Sequence, residues 1–351
     1  MADIKASRWT WLKRSIVVVI ILLLLPLLFG LKWANTPEKF DPNAKDPGVA
    51  YINKRLSGAA RFQQSSFKFE GQTLNYVEAG KGETILFLHG FPSYWFSLSH
   101  QMKALSSDYH VIAIDGLGAG SSDAPLDVNE YKLEKMAAHI AALLDSLGSE
   151  KVHIVGHDWG SAFAFGLAQR FPDRVLTVTG LSAPPMNAVI EALEEDDEAR
   201  KIAAYVERLK GANPLLIVAL GADKQVCTGA YEPLVEKKFI SSEEGKLFCA
   251  ATGNPRRIDA HINWYRANIP APDEIAESDF WPSRTARITA PSLLIWGKDD
   301  RVFAPKYLAK IDGLSDNLKT LPLEGVDHWP HLEREQQVTQ AIRNHIAGEE
   351  G

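Results

Sequence analysis

The chain has 351 residues, 46% of them hydrophobic, and a formal net charge of -6. That is enough apolar material for a large core, in one domain with an inserted subdomain or in two domains, and the acidic balance leaves no basic footprint for nucleic acid. With Cys227 and Cys249 as its 2 cysteines, it excludes a disulfide framework and a four-thiolate zinc site, and leaves open one bridge or two unpaired thiols.

In chain order, Lys5, Arg8, Lys13 and Arg14 precede an uncharged apolar run, Ile16 to Leu31, flanked by Trp11 and Trp33. The run is just short of the roughly 17 to 25 residues of a spanning helix, and neighbouring groups such as Ser15 can extend it. No small-x-small cleavage site follows, so it reads as an uncleaved single-pass anchor in a lipid bilayer rather than a signal peptide or a core helix. The leading basic residues favour a cytoplasmic tip and a non-cytoplasmic remainder for residues 1–33 and beyond, a bias weakened by Lys32, Lys39 and Lys45. Residues 34–65 are polar, contain Pro37, Pro42 and Pro47, and read as a linker or loosely packed arm.

Short apolar strands then alternate with helical stretches. QTLNYVEAG, ETILFLHG, YHVIAIDG, KVHIVGHD and LTVTGLSAP read as strands, with helices over Leu133 to Leu147 and Ser161 to Phe171. This predicts an α/β fold with a mostly parallel sheet and flanking helices, its first part spanning 66–184. The segment 185–284 reads as an inserted helical cap whose acidic run, Glu194 to Glu198, is a solvated face. APSLLIWGKDD and NLKTLPLEG resume the strand pattern in a second core part, 285–351. No internal repeat is present.

Asp158 follows the strand ending at Val155 and precedes a helix, with Gly156 and Gly160 two residues to either side. An aspartate there is an N-cap by default. The glycines, however, allow a tight strand-to-helix elbow that thrusts the middle side chain out as a nucleophile. Three other features agree with an elbow. The loop His89 to Pro92 after a strand can aim the N–H of Phe91, with that of Trp159, at an oxyanion. Asp299 and Asp300 follow a later strand and offer a carboxylate, and the residues alone leave the choice between them open. His328 follows the last predicted strand, while its rival His331 falls where a helix begins. Nucleophile, acid and histidine thus occur in the chain order of this kind of fold.

With HGFP at 89–92, GHDWG at 156–160, WGKDD at 296–300 and DHWP at 327–330, the sequence resembles the α/β-hydrolase family and its epoxide hydrolase branch, from about Phe67 to the C-terminus. The resemblance implies Asp158 as nucleophile, His328 as base and Asp300, rather than Asp299, as its acid partner. NWYR in the cap is similar to the motif carrying a ring-opening tyrosine, which implies that role for Tyr265; Tyr205 stands at a suitable distance for a second one, or is an ordinary residue of an amphipathic helix. The implied reaction takes a small apolar epoxide and water to a diol, with no metal or organic cofactor. Haloalkane dehalogenases share the elbow and its tryptophan and are the alternative, although they usually carry Asn where Phe91 stands. A membrane-tethered binding module without catalysis would be favoured by a missing triad position, and none is missing. The loop Asp115 to Pro125 is glycine-rich but fails Gly-x-Gly-x-x-Gly, with Ser121 in the last place, which argues against a dinucleotide.

Overall fold

The computed structural model describes residues 30, 32, 36–56, 60–214, 217, 221–252, 254–303, 306–311, 313–315 and 317–349. Among these no helix is long and apolar enough to cross a membrane. The longest, Ala222–Glu236, has 15 residues, against the about 20 apolar residues a spanning helix needs. The expected transmembrane helix, lipid-bilayer anchor and membrane location are therefore corrected. Apart from Gly30, the run Ile16 to Leu31 that prompted them lies outside the described residues.

Among the described residues eight strands form one sheet: β1 (Gln63–Phe69), β2 (Gln72–Ala79), β3 (Thr84–Leu88), β4 (His110–Ile114), β5 (Val152–His157), β6 (Val175–Leu181), β7 (Ser292–Gly297) and β8 (Leu318–Leu323). Their order is β1-β2-β4-β3-β5-β6-β7-β8. β1 and β2 are antiparallel to their neighbours, and the rest are parallel. Every residue of β3, β5 and β7 is buried, because helices cover both faces of the parallel part and only continuous apolar strands suit that position. β1 was not anticipated: it is an edge strand, half-exposed along its length, joined to β2 through Glu70 and Gly71, both at positive φ.

The helices of the first core part are α1 (Pro47–Lys54), α2 (Ser99–Leu105), α3 (Leu133–Ser146) and α4 (Trp159–Arg170). Between β6 and β7 come α5 (Met186–Glu195), α6 (Asp197–Ile202), α7 (Ala204–Lys210), α8 (Ala222–Glu236), α9 (Ser242–Thr252) and α10 (Pro255–Asn268), and after β8 come α11 (Pro330–Glu333) and α12 (Glu335–Ala347). The apolar stripes of α3 and α4 pack on one face of the sheet with α5 and α10. Those of α1, α2 and α12 pack on the other. A disulfide joins Cys227 of α8 to Cys249 of α9, with Cα atoms 5.1 Å apart.

Within the stretch expected as linker or loose arm, α1 is anchored. The carboxylate of Asp46 accepts the N–H groups of Gly48 and Val49 at its N-terminus and the indole N–H of Trp95 at 2.8 Å. Ile52 and Phe62 are buried with Trp95 and Phe96. A proline-rich composition does not reveal this, since a few apolar contacts and one cap suffice to seat a short helix on a finished core.

Candidate active site

β5 ends at His157 and α4 begins at Trp159, so the chain reverses at Asp158, whose φ is 53° and ψ -121°. Glycine is required on both sides: a Cβ on Gly156 would sit 2.0 Å from the Gly160 carbonyl oxygen, and one on Gly160 would sit 1.9 Å from that of Leu88. Among the described residues the Asp158 side chain makes no capping hydrogen bond to α4. It accepts the N–H of Phe91 at 2.8 Å and faces His328, whose Nε2 is 3.4 Å from its Oδ2.

On its other side the His328 ring donates from Nδ1 to Asp300 Oδ2 at 3.0 Å. Asp300 is fixed in turn, because its Oδ1 accepts the N–H groups of Val302 and Phe303. Asp299 is exposed. Burial opposes a charge on His328, but the carboxylates of Asp300 and Asp158 outweigh it and raise its pKa to about 10. Burial likewise opposes ionisation of Asp158, yet hydrogen bonding and charge from His328, helped by the Trp159 N–H, hold its carboxyl below the usual range. The resting pair is imidazolium and carboxylate.

The carboxylate opens into a narrow, mostly apolar cavity beneath the cap, walled by Met186, Val189, Leu193, Val206 and Ile269 and edged by Tyr205, Tyr265 and Tyr307. Tyr265, on α10, packs edge-on against Trp159 at 5.0 Å and against Phe91 at 5.4 Å between centroids. Tyr205, on α7, stands 6.4 Å from Tyr265, ring to ring. Burial, reinforced by the Tyr205 hydroxyl and the nearby Asp158 charge, pushes the Tyr265 pKa far up; burial and Asp158 push that of Tyr205 up. Both hydroxyls keep their protons and can donate them. The structure thus brings Asp158, Trp159, Tyr205 and Tyr265 to one cavity, while Phe91 and His328 contact the Asp158 carboxylate and Asp300 contacts His328.

Over residues 83–335 the sequence matches the family described as alpha/beta hydrolase fold. The chain belongs to that family. This hydrolase is 30% identical over 240 residues to mouse (Mus musculus) epoxide hydrolase 4, an alignment that spans 66% of the chain and 64% of the mouse protein. It is 26% identical over 298 residues to Xenopus tropicalis epoxide hydrolase 3, covering 82% and 77% of the two. An epoxide hydrolase from Bacillus megaterium, solved with an inhibitor, superposes with a TM-score of 0.71 over 81% of this chain and 100% of that one; at 22% identity this shows the fold.

Behind the hydrolase's histidine, sequence reasoning missed His157 and weighed His331 only as a rival to His328. His157 Nε2 donates to the His328 carbonyl at 2.9 Å, and burial, with the charge of His328, lowers the His157 pKa to about 4, keeping it neutral. His331 lies behind His157, ring centroids 4.3 Å apart, and its ring nitrogens bond to no described group. No local pattern points to this, because the pair meets only when the loop after β8 crosses the end of β5. The glycine-rich loop after β4 is pinned by the Asp115 carboxylate, which accepts the N–H groups of Trp95 and Ser121.

Proposed function

We propose that this hydrolase converts epoxides to diols through a covalent ester on Asp158. The observation that carries the reading is a carboxylate, not a hydroxyl, at the elbow, with two protonated tyrosines sharing its cavity. Asp158 attacks an epoxide carbon, the carbon–oxygen bond breaks, and Tyr265 with Tyr205 donates to the departing oxygen. The proton carried by the resting His328 balances the one the alkoxide gains. Ester formation removes the Asp158 charge, one of the two that hold His328 protonated, so the imidazole becomes a base oriented by Asp300. Water then loses a proton to His328 and adds to the ester carbonyl, and the N–H groups of Phe91 and Trp159 hold the oxyanion. Collapse restores the carboxylate and the imidazolium and frees the diol. A serine at the elbow would form an ether that water does not cleave.

The epoxide hydrolase names of the relatives support this reading, as does Phe91. Its ring packs on Tyr265 and His261 and offers no side-chain donor to a halide beside Trp159, which disfavours the dehalogenase alternative. The test is a trap. His328→Gln incubated with an aryl epoxide gains one substrate mass, mapped to Asp158, because attack proceeds and hydrolysis does not. No adduct at residue 158, together with an active Asp158→Asn enzyme, overturns the proposal; halide release from bromoalkanes without epoxide turnover reassigns the substrate.

A further inference from the structure

We infer that Asp259 positions the two cap tyrosines, acting through Arg256 and Arg266 to hold both tyrosine-bearing helices to one loop of the core. The inference rests on the reading of Tyr205 and Tyr265 as ring-opening donors. Asp259 lies in α10 and is buried. Its Oδ2 accepts from Arg256 Nη1 at 2.8 Å and its Oδ1 from Arg266 Nη1 at 2.9 Å. Each guanidinium also reaches backbone carbonyls of another element. Arg256 Nη2 reaches the carbonyls of Ala124 and Pro125, in the loop after β4, at 3.2 and 2.9 Å. Arg266 reaches the carbonyl of Lys210, the last residue of α7, from Nε at 3.0 Å, and that of Ala212 from Nη2 at 2.8 Å; its Nη1 also meets Asn263 Oδ1.

One carboxylate therefore joins a chain that runs from core loop to α10 to the end of α7. An i,i+3 pair such as Arg256 and Asp259 is ordinary helix decoration when it stands alone. Here Arg256 and Asp259 are both buried and Arg266 partly so, and leaving a buried member unpaired is costly. Arg266 directly follows Tyr265, and the two carbonyls it grips lie five and seven residues after Tyr205. The guanidinium thus sets the spacing of the two tyrosines. α10 has further tethers to the core, the indole N–H of Trp264 on the Leu117 carbonyl at 2.8 Å, Arg257 on the carbonyls of Ala119 and Ser122, and Asn268 on the Tyr131 carbonyl, whereas no comparable core bond is seen for α7 among the described residues. Disturbing the chain should loosen Tyr205 more than Tyr265.

The test separates the two chemical steps in single-turnover experiments on the full chain. Alkyl-enzyme formation and its decay are followed by quenched-flow mass measurement for wild type, Asp259→Asn and Arg266→Lys. The lysine keeps a charge for Asp259 but cannot grip both carbonyls. Alkylation is expected to slow about tenfold or more, the loss typical of a misplaced donor, while ester decay in the same samples changes less than about twofold, because His328 and Asp300 are untouched. In a Tyr205→Phe background, Arg266→Lys should add little, since the donor it positions is already gone. Equal slowing of both steps, or no slowing, overturns the inference, and Arg266→Lys decides it if Asp259→Asn does not fold. Absence of alkylation in the wild type overturns the proposed function and this inference with it; normal alkylation in wild type and variants alike overturns the inference alone.

Discussion

Asp158 and His328 titrate as partners, and their shifts have kinetic consequences. Asp158 is held below the ordinary carboxylate value of 3.8 and His328 is held up to about 10, so the resting ion pair is intact across the neutral range. The alkylation rate is expected to be flat from roughly pH 5 to pH 9, since neither group nor the tyrosines titrate there. Hydrolysis of the ester should instead rise with pH, with a midpoint below 10, because the alkylated Asp158 no longer supports the imidazolium. Stopped-flow profiles of the two phases check this; parallel profiles contradict it. Tyr265→Phe removes a donor aimed at developing alkoxide charge, and alkylation should fall about a hundredfold, near 3 kcal/mol, with ester decay unchanged.

Where α2, α9 and α12 meet, His100 sits between two carboxylates: Nε2 is 2.7 Å from Glu244 and Nδ1 3.0 Å from Glu335. Burial works against the imidazolium, but the two glutamates outweigh it and raise the His100 pKa. Burial works against the Glu244 carboxylate as well, and His100 with Ser241 overcomes it, lowering its pKa to about 2. The signs define a window. A raised histidine contributes fully below its ordinary 6.5 and loses that contribution as pH climbs through the raised value; a lowered glutamate contributes fully above its ordinary 4.5 and loses it as pH falls towards about 2. The junction is strongest between these limits. His100→Gln should therefore cost most near pH 5 to 6, on the order of 2 kcal/mol, and less on either side. Denaturation midpoints across pH measure the difference, and a pH-independent gap counts against it.

The N-terminal arm ties the molecule together across three regions. Asp46 binds Trp95 of the core, the N–H of Phe40 and the Lys39 amine bind Asp123, and Glu38 meets Arg257 and Asn254 at the start of cap helix α10. Asp46→Ala removes a helix cap and strands a buried indole N–H, a loss of about 2 to 3 kcal/mol. Asp46→Asn keeps an acceptor and should cost less. Equal melting temperatures for all three proteins would show that the arm carries no stability.

Glycine spacing and strand order are local properties, and they made the elbow at Asp158, the acid after β7 and the histidine after β8 legible in the sequence, together with the α/β-hydrolase architecture they punctuate. Apolar runs likewise announced the central strands, because a strand covered on both faces has no polar alternative. Edge strand β1 lacked that signal, and the arm around α1 was hidden by its prolines. Hydropathy also misled where it stood alone: an apolar run near the spanning length suggested an anchor, which no described helix supports. Only the tertiary structure seated His331 behind His157, paired Cys227 with Cys249 and set Tyr205 beside Tyr265. Each depends on contacts between segments far apart in the chain, where packing and burial, not neighbouring residues, choose the partner.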